Sequence, residues 1–352
     1  MNSKYQIYKV GGAVRDRILG VPSSDNDYVV INGSEAIMKN LGFIKVGKSF
    51  PVFIEPNRKE EYALARKEKK IGLGYGGFEF ETKNVTLKED LERRDLTINA
   101  IAETKDGTLI DPFCGIQDLE NRVLRHIAKS FREDPVRVLR LARFQSTFQD
   151  FRIAPETKEL VLDIRDSGEL DNLTKERISL EMQKMVLKTE FPYLFFQSLE
   201  KMQVLKNIFP YLTDISKLKT ISGKLTFDNL ISILSINTDI DTLRKELVLT
   251  NSTYKQTNIF SKLNHFLAKE FSAENLMAFF KFIKNIDDLE KSISLYNRIY
   301  SNKRADFSFM KLLFIYYRDA GKVFITMKKL SNKGGFLKEI RTKILQEILN
   351  TK

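Results

Sequence analysis

The sequence predicts an α+β chain: an N-terminal head on a small mixed sheet, followed by all-helical segments. Three observations carry that expectation. Residues 6–31 read as strand, glycine turn, helix and strand. Residues 43–65 hold further short runs of β-branched and aromatic residues. From Ala154 onward, apolar residues recur at spacings of three and four behind Ser, Asp and Thr starts.

The first unit is organised around Tyr8 to Val30. A short strand, Gln6 to Val10, leads into Gly11 and Gly12. Ala13, Val14, Ile18 and Leu19 then follow at helical spacing. Glycines let a backbone approach a phosphate closely, and a helix start offers unpaired N–H groups. Arg15 adds a fork of donors there. Asp25 and Asp27 precede Tyr28 to Ile31, which reads as a buried strand. Side chains at i and i+2 on a strand share a face, so both carboxylates face one way and repel unless a cation sits between them. Magnesium, a hard divalent cation, suits oxygen ligands of this kind. Alone, the same residues fit a solvated Asp-Asn-Asp turn. Together with the glycine turn they describe a nucleotidyltransferase site, with glycines for a triphosphate and aspartates for metals. The Lys-Ser/Thr pair of a P-loop is missing.

Further along, 34–41 reads as a short helix, and 43–46, 52–54 and 61–65 read as strands. The stretch 67–83, with four glycines among many lysines, reads as a mobile basic loop. Thr86 to Leu91 starts a helix with a Thr cap and an acidic first turn. Arg93, Arg94 and Asp95 follow beside apolar residues; adjacent cations call for an anion, or else form a surface cluster. Leu109 to Asp111 is a short strand, and a turn through Gly115 precedes a helix from Gln117 to Asn121. His126 lies among apolar residues and reads as packing. Asp134 and Pro135 read as cap and first position of a helix. Arg137, Arg140 and Arg143 recur on it at i+3 and repel one another, which a nucleoside triphosphate would relieve. Helices are expected at 157–162, 174–186, 192–202, 227–236, 259–270, 274–286, 293–300, 307–318 and 336–349.

The 352 residues carry a net charge of +12 and a pI near 9.4, which suits a polyanionic partner such as RNA, or an anionic membrane surface. No run approaches the length that spans a bilayer, and no signal-peptide pattern opens the chain, so no membrane is expected. The single cysteine, Cys114, cannot form an internal disulfide, and no Cys/His cluster suggests zinc. The expected location is cytoplasmic.

GGAVRD, D-N-D-Y, EEYALAR, RRDLTINA, DPFCG and EDPVRVLRLARF occur in that order. The chain thereby resembles the class II tRNA nucleotidyltransferases, the CCA-adding enzymes, and their bacterial poly(A) polymerase relatives. The resemblance reaches about Glu181, and its spelling is closer to the CCA-adding branch. It implies a nucleotidyltransferase head over 1–128, a helical neck with a base-recognition helix over 129–190, and a helical body and tail for tRNA over 191–352. It implies transfer of CMP, CMP and AMP from CTP and ATP onto a tRNA 3′ end, with magnesium bound by Asp25 and Asp27. Glu61 is the candidate third carboxylate, or else an exposed strand-edge residue. Gly12, Arg15, Arg94, Arg140 and Arg143 are expected on the triphosphate. Asp95 is expected at the sugar or in a structural contact, and Asn99 near it. The loop at 67–83 is linked in the family to the change from C to A addition. Glu176, Arg177 and Glu181 fall where the neck helices of the family carry similar residues.

The chemistry of Asp134 and Arg137 fits base reading. Cytosine and adenine each present an amino donor beside a ring-nitrogen acceptor, which a carboxylate and a guanidinium complement. Guanine and uracil present the opposite pattern and leave groups unpaired. A surface ion pair is the alternative. With only His126 and His265 and no adjacent His-Asp, no HD-type hydrolase activity is expected. A poly(A) polymerase, an A-only or C-only adding enzyme, and a non-catalytic RNA-binding protein remain as alternative readings. Basic helices with aromatics beyond residue 205 suit phosphate contacts, or form a plain lysine-rich surface.

Overall fold

The computed structural model describes residues 5–22, 26–46, 52–70, 78–221, 223–269, 272–302, 304–326, 341–343 and 345–346. The first elements are β1 (Gln6–Val10), α1 (Gly12–Ile18), β2 (Asp27–Ile31), α2 (Glu35–Asn40), β3 (Ile44–Lys45), β4 (Val52–Ile54) and β5 (Glu61–Leu64). Then come β6 (Lys67–Lys70), β7 (Phe78–Glu81), α3 (Leu87–Glu92), β8 (Ala102–Glu103), β9 (Leu109–Ile110), α4 (Gly115–Glu120) and β10 (Val123–Leu124). The rest is α5 (Val136–Thr147), β11 (Arg152–Ile153), α6 (Pro155–Asp166), α7 (Lys175–Lys188), α8 (Tyr193–Lys201), α9 (Leu205–Ile208) and α10 (Phe227–Leu234). It closes with α11 (Ile240–Glu246), α12 (Asn251–Leu267), α13 (Ala273–Phe280), α14 (Ile286–Ile299) and α15 (Phe307–Thr326).

The head is a mixed sheet in the order β3-β4-β5-β2-β1-β8-β9. Only β2 and β5 pair in parallel within it; the other neighbours are antiparallel. Alternation along β2 serves two cores, one on each face. Val29 and Ile31 pack with Val10, Ala65, Leu91 and Ala102, and Val30 packs with Met38, Phe53 and Leu64. Burying both faces fixes the register, because a slip of one residue would exchange the two sets. Tyr28 stacks on Tyr62 across the parallel pair at 4.5 Å between ring centroids.

Two expectations need correction here. The flanks of the 67–83 stretch are not loop: β6 and β7 form an antiparallel ribbon that pairs Lys67 with Glu81 and Lys69 with Glu79. Residues 71–77 lie outside the described residues. The expected helix at 274–286 ends early: α13 stops at Phe280, and α14, capped by Asn285 accepting from the Asp287 N–H, starts at Ile286 and takes in nearly all of the expected helix at 293–300. Most of the expected helix at 336–349 lies outside the described residues, with 341–343 and 345–346 helical.

Two compact units are present. One comprises 1–181 and 194–209, the other 182–193 and 210–352. The second unit is helical. Threonine or serine caps start α10, α12 and α13, each accepting a backbone N–H three residues on. Its core is aliphatic with aromatic contacts set into it: Phe266 stacks on Phe279 at 5.4 Å, and Phe280 meets Phe314 edge-on at 5.4 Å. No helix among the described residues is long and apolar enough to cross a membrane.

Candidate active site

The antiparallel register of β1 and β2 sets Val10 opposite Asp27, so the glycine turn begins beside that aspartate. Gly11 has φ +74°, a left-handed value that side chains rarely adopt. A Cβ there would also lie 3.1 Å from Nη1 of Arg94. On its other side, Asp27 pairs in parallel with Glu61. Partners in such a pair share a face, so two carboxylates stand side by side on neighbouring strands. Both are exposed. Asp25 lies outside the described residues. Asn26, between the two aspartates in sequence, donates to Oε1 of Glu60, the residue before β5, at 2.8 Å.

The Arg-Arg-Asp segment does not continue α3 as a helix. It bends into a short 3-10 turn at Thr97–Asn99 and places its three side chains differently. Arg94 donates from Nη2 to Asp90 at 3.2 Å. Asp95 is buried and accepts from the Leu96 N–H, from Asn99 at 3.0 Å, and from Nε and Nη2 of Arg140 at 2.7 and 2.6 Å. Burial alone would raise the pKa of Asp95, but the Arg140 charge and the amide of Asn99 outweigh it and hold the carboxyl well below its usual range. Asn99 also accepts from Nη1 of Arg15 at 2.5 Å. The Arg15 guanidinium lies over Phe144 at 5.3 Å and Phe148 at 5.1 Å, so α1 is clasped to α5.

Helix α5 carries the arginine series, with Pro135 at the cap position and Val136 first, one residue later than the sequence suggests. The charges are met from within the protein, not left for a triphosphate alone. Arg140 pairs with Asp95, and Arg143 donates to Glu181 at 2.7 Å. Arg137 donates to the carbonyls of Ser130 at 3.1 Å and Arg93 at 2.6 Å. Asp134 is not bridged to Arg137. Its carboxylate accepts from Arg177 on α7 at 2.7 and 2.8 Å and from the Val136 N–H at 3.2 Å. His126 is a packing residue, as expected: Nδ1 lies 2.8 Å from Oγ1 of Thr157, and the ring tilts against Phe131.

The structure therefore gathers Gly11, Gly12, Asp27, Glu61 and Arg94 around one end of β1, β2 and β5. Asp95, Asn99, Arg15 and Arg140 form a connected polar network. Arg177 and Asp90 were absent from the expected site. For Asp90 the signal was two arginines at i+3 and i+4; for Arg177 it was only the resemblance at Glu176-Arg177.

Two family models match the chain: a Poly A polymerase head domain over residues 7–125, and a probable RNA and SrmB-binding site of polymerase A over 150–216. A CCA-adding enzyme of Francisella tularensis subsp. novicida is 42% identical over 316 residues, 83% of this chain and 84% of that protein. The chain belongs to the CCA-adding enzyme family. A CCA-adding enzyme of Actinobacillus succinogenes is 53% identical over 213 residues, 60% of this family member, which spans only 53% of that relative. The Thermotoga maritima CCA-adding enzyme complexed with tRNA has the same fold, with TM-score 0.65 and 22% identity over 97% of this chain and 87% of that one.

Proposed function

We propose that the protein adds CCA to the 3′ end of tRNA by template-independent transfer of CMP, CMP and AMP from CTP and ATP, releasing pyrophosphate. The observation that carries this is the setting of Asp27. It opens β2 between Glu61 and the glycine turn, with Arg94 against that turn, in a chain of the CCA-adding family.

Among the described residues no three His, Cys, Asp or Glu side chains group to hold a metal. Asp27 and Glu61 supply two of the needed carboxylates, and Asp25 stands two residues upstream of Asp27. An all-oxygen set of this kind fits magnesium. Bound by Asp25 and Asp27, magnesium would stabilise charge at the α-phosphorus and on pyrophosphate and ease proton loss from the RNA 3′-hydroxyl.

The chain's own residues do the rest. Gly11 and Gly12 leave room for the triphosphate beside Asp27. Arg15, Arg94, Arg140 and Arg143 supply positive potential, and their internal partners hold them in place before substrate arrives, which removes reorganisation from the reaction. Arg177 fixes the Asp134 carboxylate so that a free lone pair accepts the amino group of cytosine or adenine. Arg137 spends two of its five N–H groups on carbonyls and keeps others for the ring nitrogen. In this reading 1–128 is the catalytic head, 129–190 the neck and 191–352 the tRNA-holding body and tail, working in the cytoplasm.

A tRNA lacking its last three nucleotides, incubated with CTP, ATP or both, tests the reading. Stops at two nucleotides with CTP and three with both are expected; no extension would refute it. Since both family models are described through polymerase A, a poly(A) polymerase is the second reading, and it predicts long products with ATP alone.

A further inference from the structure

We propose that Asp90 is a positioning residue for the nucleoside triphosphate, acting through Arg94; this rests on the function proposed above. Asp90 sits on α3 with no exposed surface. Its Oδ1 accepts from the Arg66 N–H at 3.2 Å and from Arg93 through Nε at 3.0 Å and Nη2 at 2.7 Å. Its Oδ2 accepts from Nη2 of Arg94 at 3.2 Å. One carboxylate thus serves two consecutive arginines that would otherwise repel. A buried carboxylate is tolerated only where partners replace its lost hydration.

The two arginines are used differently. Arg93 is consumed inside the protein: beyond Asp90, its Nη1 donates to Glu68 at 3.0 Å, and Glu68 also accepts from Nε of Arg66 at 2.8 Å. Arg94 gives one nitrogen to Asp90, while Nη1 lies against Gly11, where an added Cβ would stand 3.1 Å away. The tether leaves Arg94 aimed at the glycine turn beside Asp27. Fixing one end of a guanidinium orients its remaining donors, which is what recognition of a phosphate needs. Asp90 touches no substrate in this arrangement. It sets the direction of the group that does.

Full-length Asp90→Asn keeps the shape and one acceptor but removes the charge. With tRNA lacking CCA, the KM for CTP and ATP is expected to rise about tenfold, and the inhibition constant of pyrophosphate with it, while the Kd for tRNA stays within about twofold. Combined with Arg94→Gln, Asp90→Asn adds no further loss, because both remove one interaction. An unchanged KM, or fully additive losses, would overturn the proposal. A second variant covers failure of Asp90→Asn to fold. Arg94→Lys keeps the charge but loses the fork that grips Asp90, so it should be about as impaired as Arg94→Gln; a KM near wild type overturns the proposal. A wild type that adds nothing overturns the proposed function and this inference with it. A wild type that adds normally beside unmoved variants overturns this inference alone.

Discussion

Arg140 clasps Asp95 through two nitrogens, Nε at 2.7 Å and Nη2 at 2.6 Å from Oδ2, and so joins α5 to the Arg-Arg-Asp segment. The folded carboxyl has a depressed pKa, so the unfolded chain binds its proton more readily. The stability this group contributes is present in full above about pH 4, its unfolded value, and is lost as the pH falls below that. Asp95→Asn should lower stability at neutral pH by about 3 kcal/mol, since it leaves Arg140 without its charge partner. Between about pH 5 and pH 3 the thermal midpoint of the variant should fall less steeply than that of wild type. Thermal melts across that range check both, and parallel slopes would count against the clasp.

Asp27 stands exposed between Glu61 and the glycine turn, outside the core, and the proposed function makes it a metal ligand. Asp27→Ala and Asp25→Ala should each lower the rate of nucleotide addition by about three orders of magnitude. The affinity for tRNA should change by less than about twofold, because phosphate contacts elsewhere dominate it. Filter binding and single-turnover extension separate the two effects. Glu61→Gln should cost about tenfold in rate if that residue shares the ligand role, and nothing if it is only a strand edge.

Much of the head was legible because its signals are local. Tyr28 to Ile31 form a β-branched and aromatic run, Gly11 and Gly12 mark a turn, and Thr86 with an acidic first turn marks a helix start. The ribbon of β6 and β7 was hidden by glycines and lysines, although Phe78 to Glu81 alternates in the manner of a strand. The break between α13 and α14 was missed because no Gly or Pro falls between Lys281 and Asn285. The arginines of α5 were seen, but their partners were not. Asp95, Arg177 and Glu181 lie 45, 43 and 38 residues from the groups that they bind, and one sequence carries no signal at that range.

Arg177 on α7 holds both oxygens of Asp134, which lies just before α5, so under the proposed function base choice depends on both side chains. Asp134→Ala should reduce discrimination of CTP and ATP against GTP and UTP by about a hundredfold. Its effect on triphosphate affinity should be smaller. Arg177→Ala should shift the same ratio in the same direction, because a released carboxylate loses its orientation. Misincorporation measured with each nucleotide alone tests this. Unchanged selectivity in Arg177→Ala, with Asp134→Ala impaired, would mean that the clamp is structural only.

Gly11 meets two independent constraints, and a single methyl group tests both. Its φ of +74° strains any side chain, and the new Cβ would press on Nη1 of Arg94 at 3.1 Å. Gly11→Ala should cost about 1–2 kcal/mol in stability from the backbone alone. If Arg94 then swings away from the turn, the KM for CTP and ATP rises by a larger factor than kcat falls. Both kinetic constants, measured at a temperature well below the thermal midpoint of the variant, separate these contributions. A loss confined to stability would show that the space beside Gly11 serves the fold and not the triphosphate.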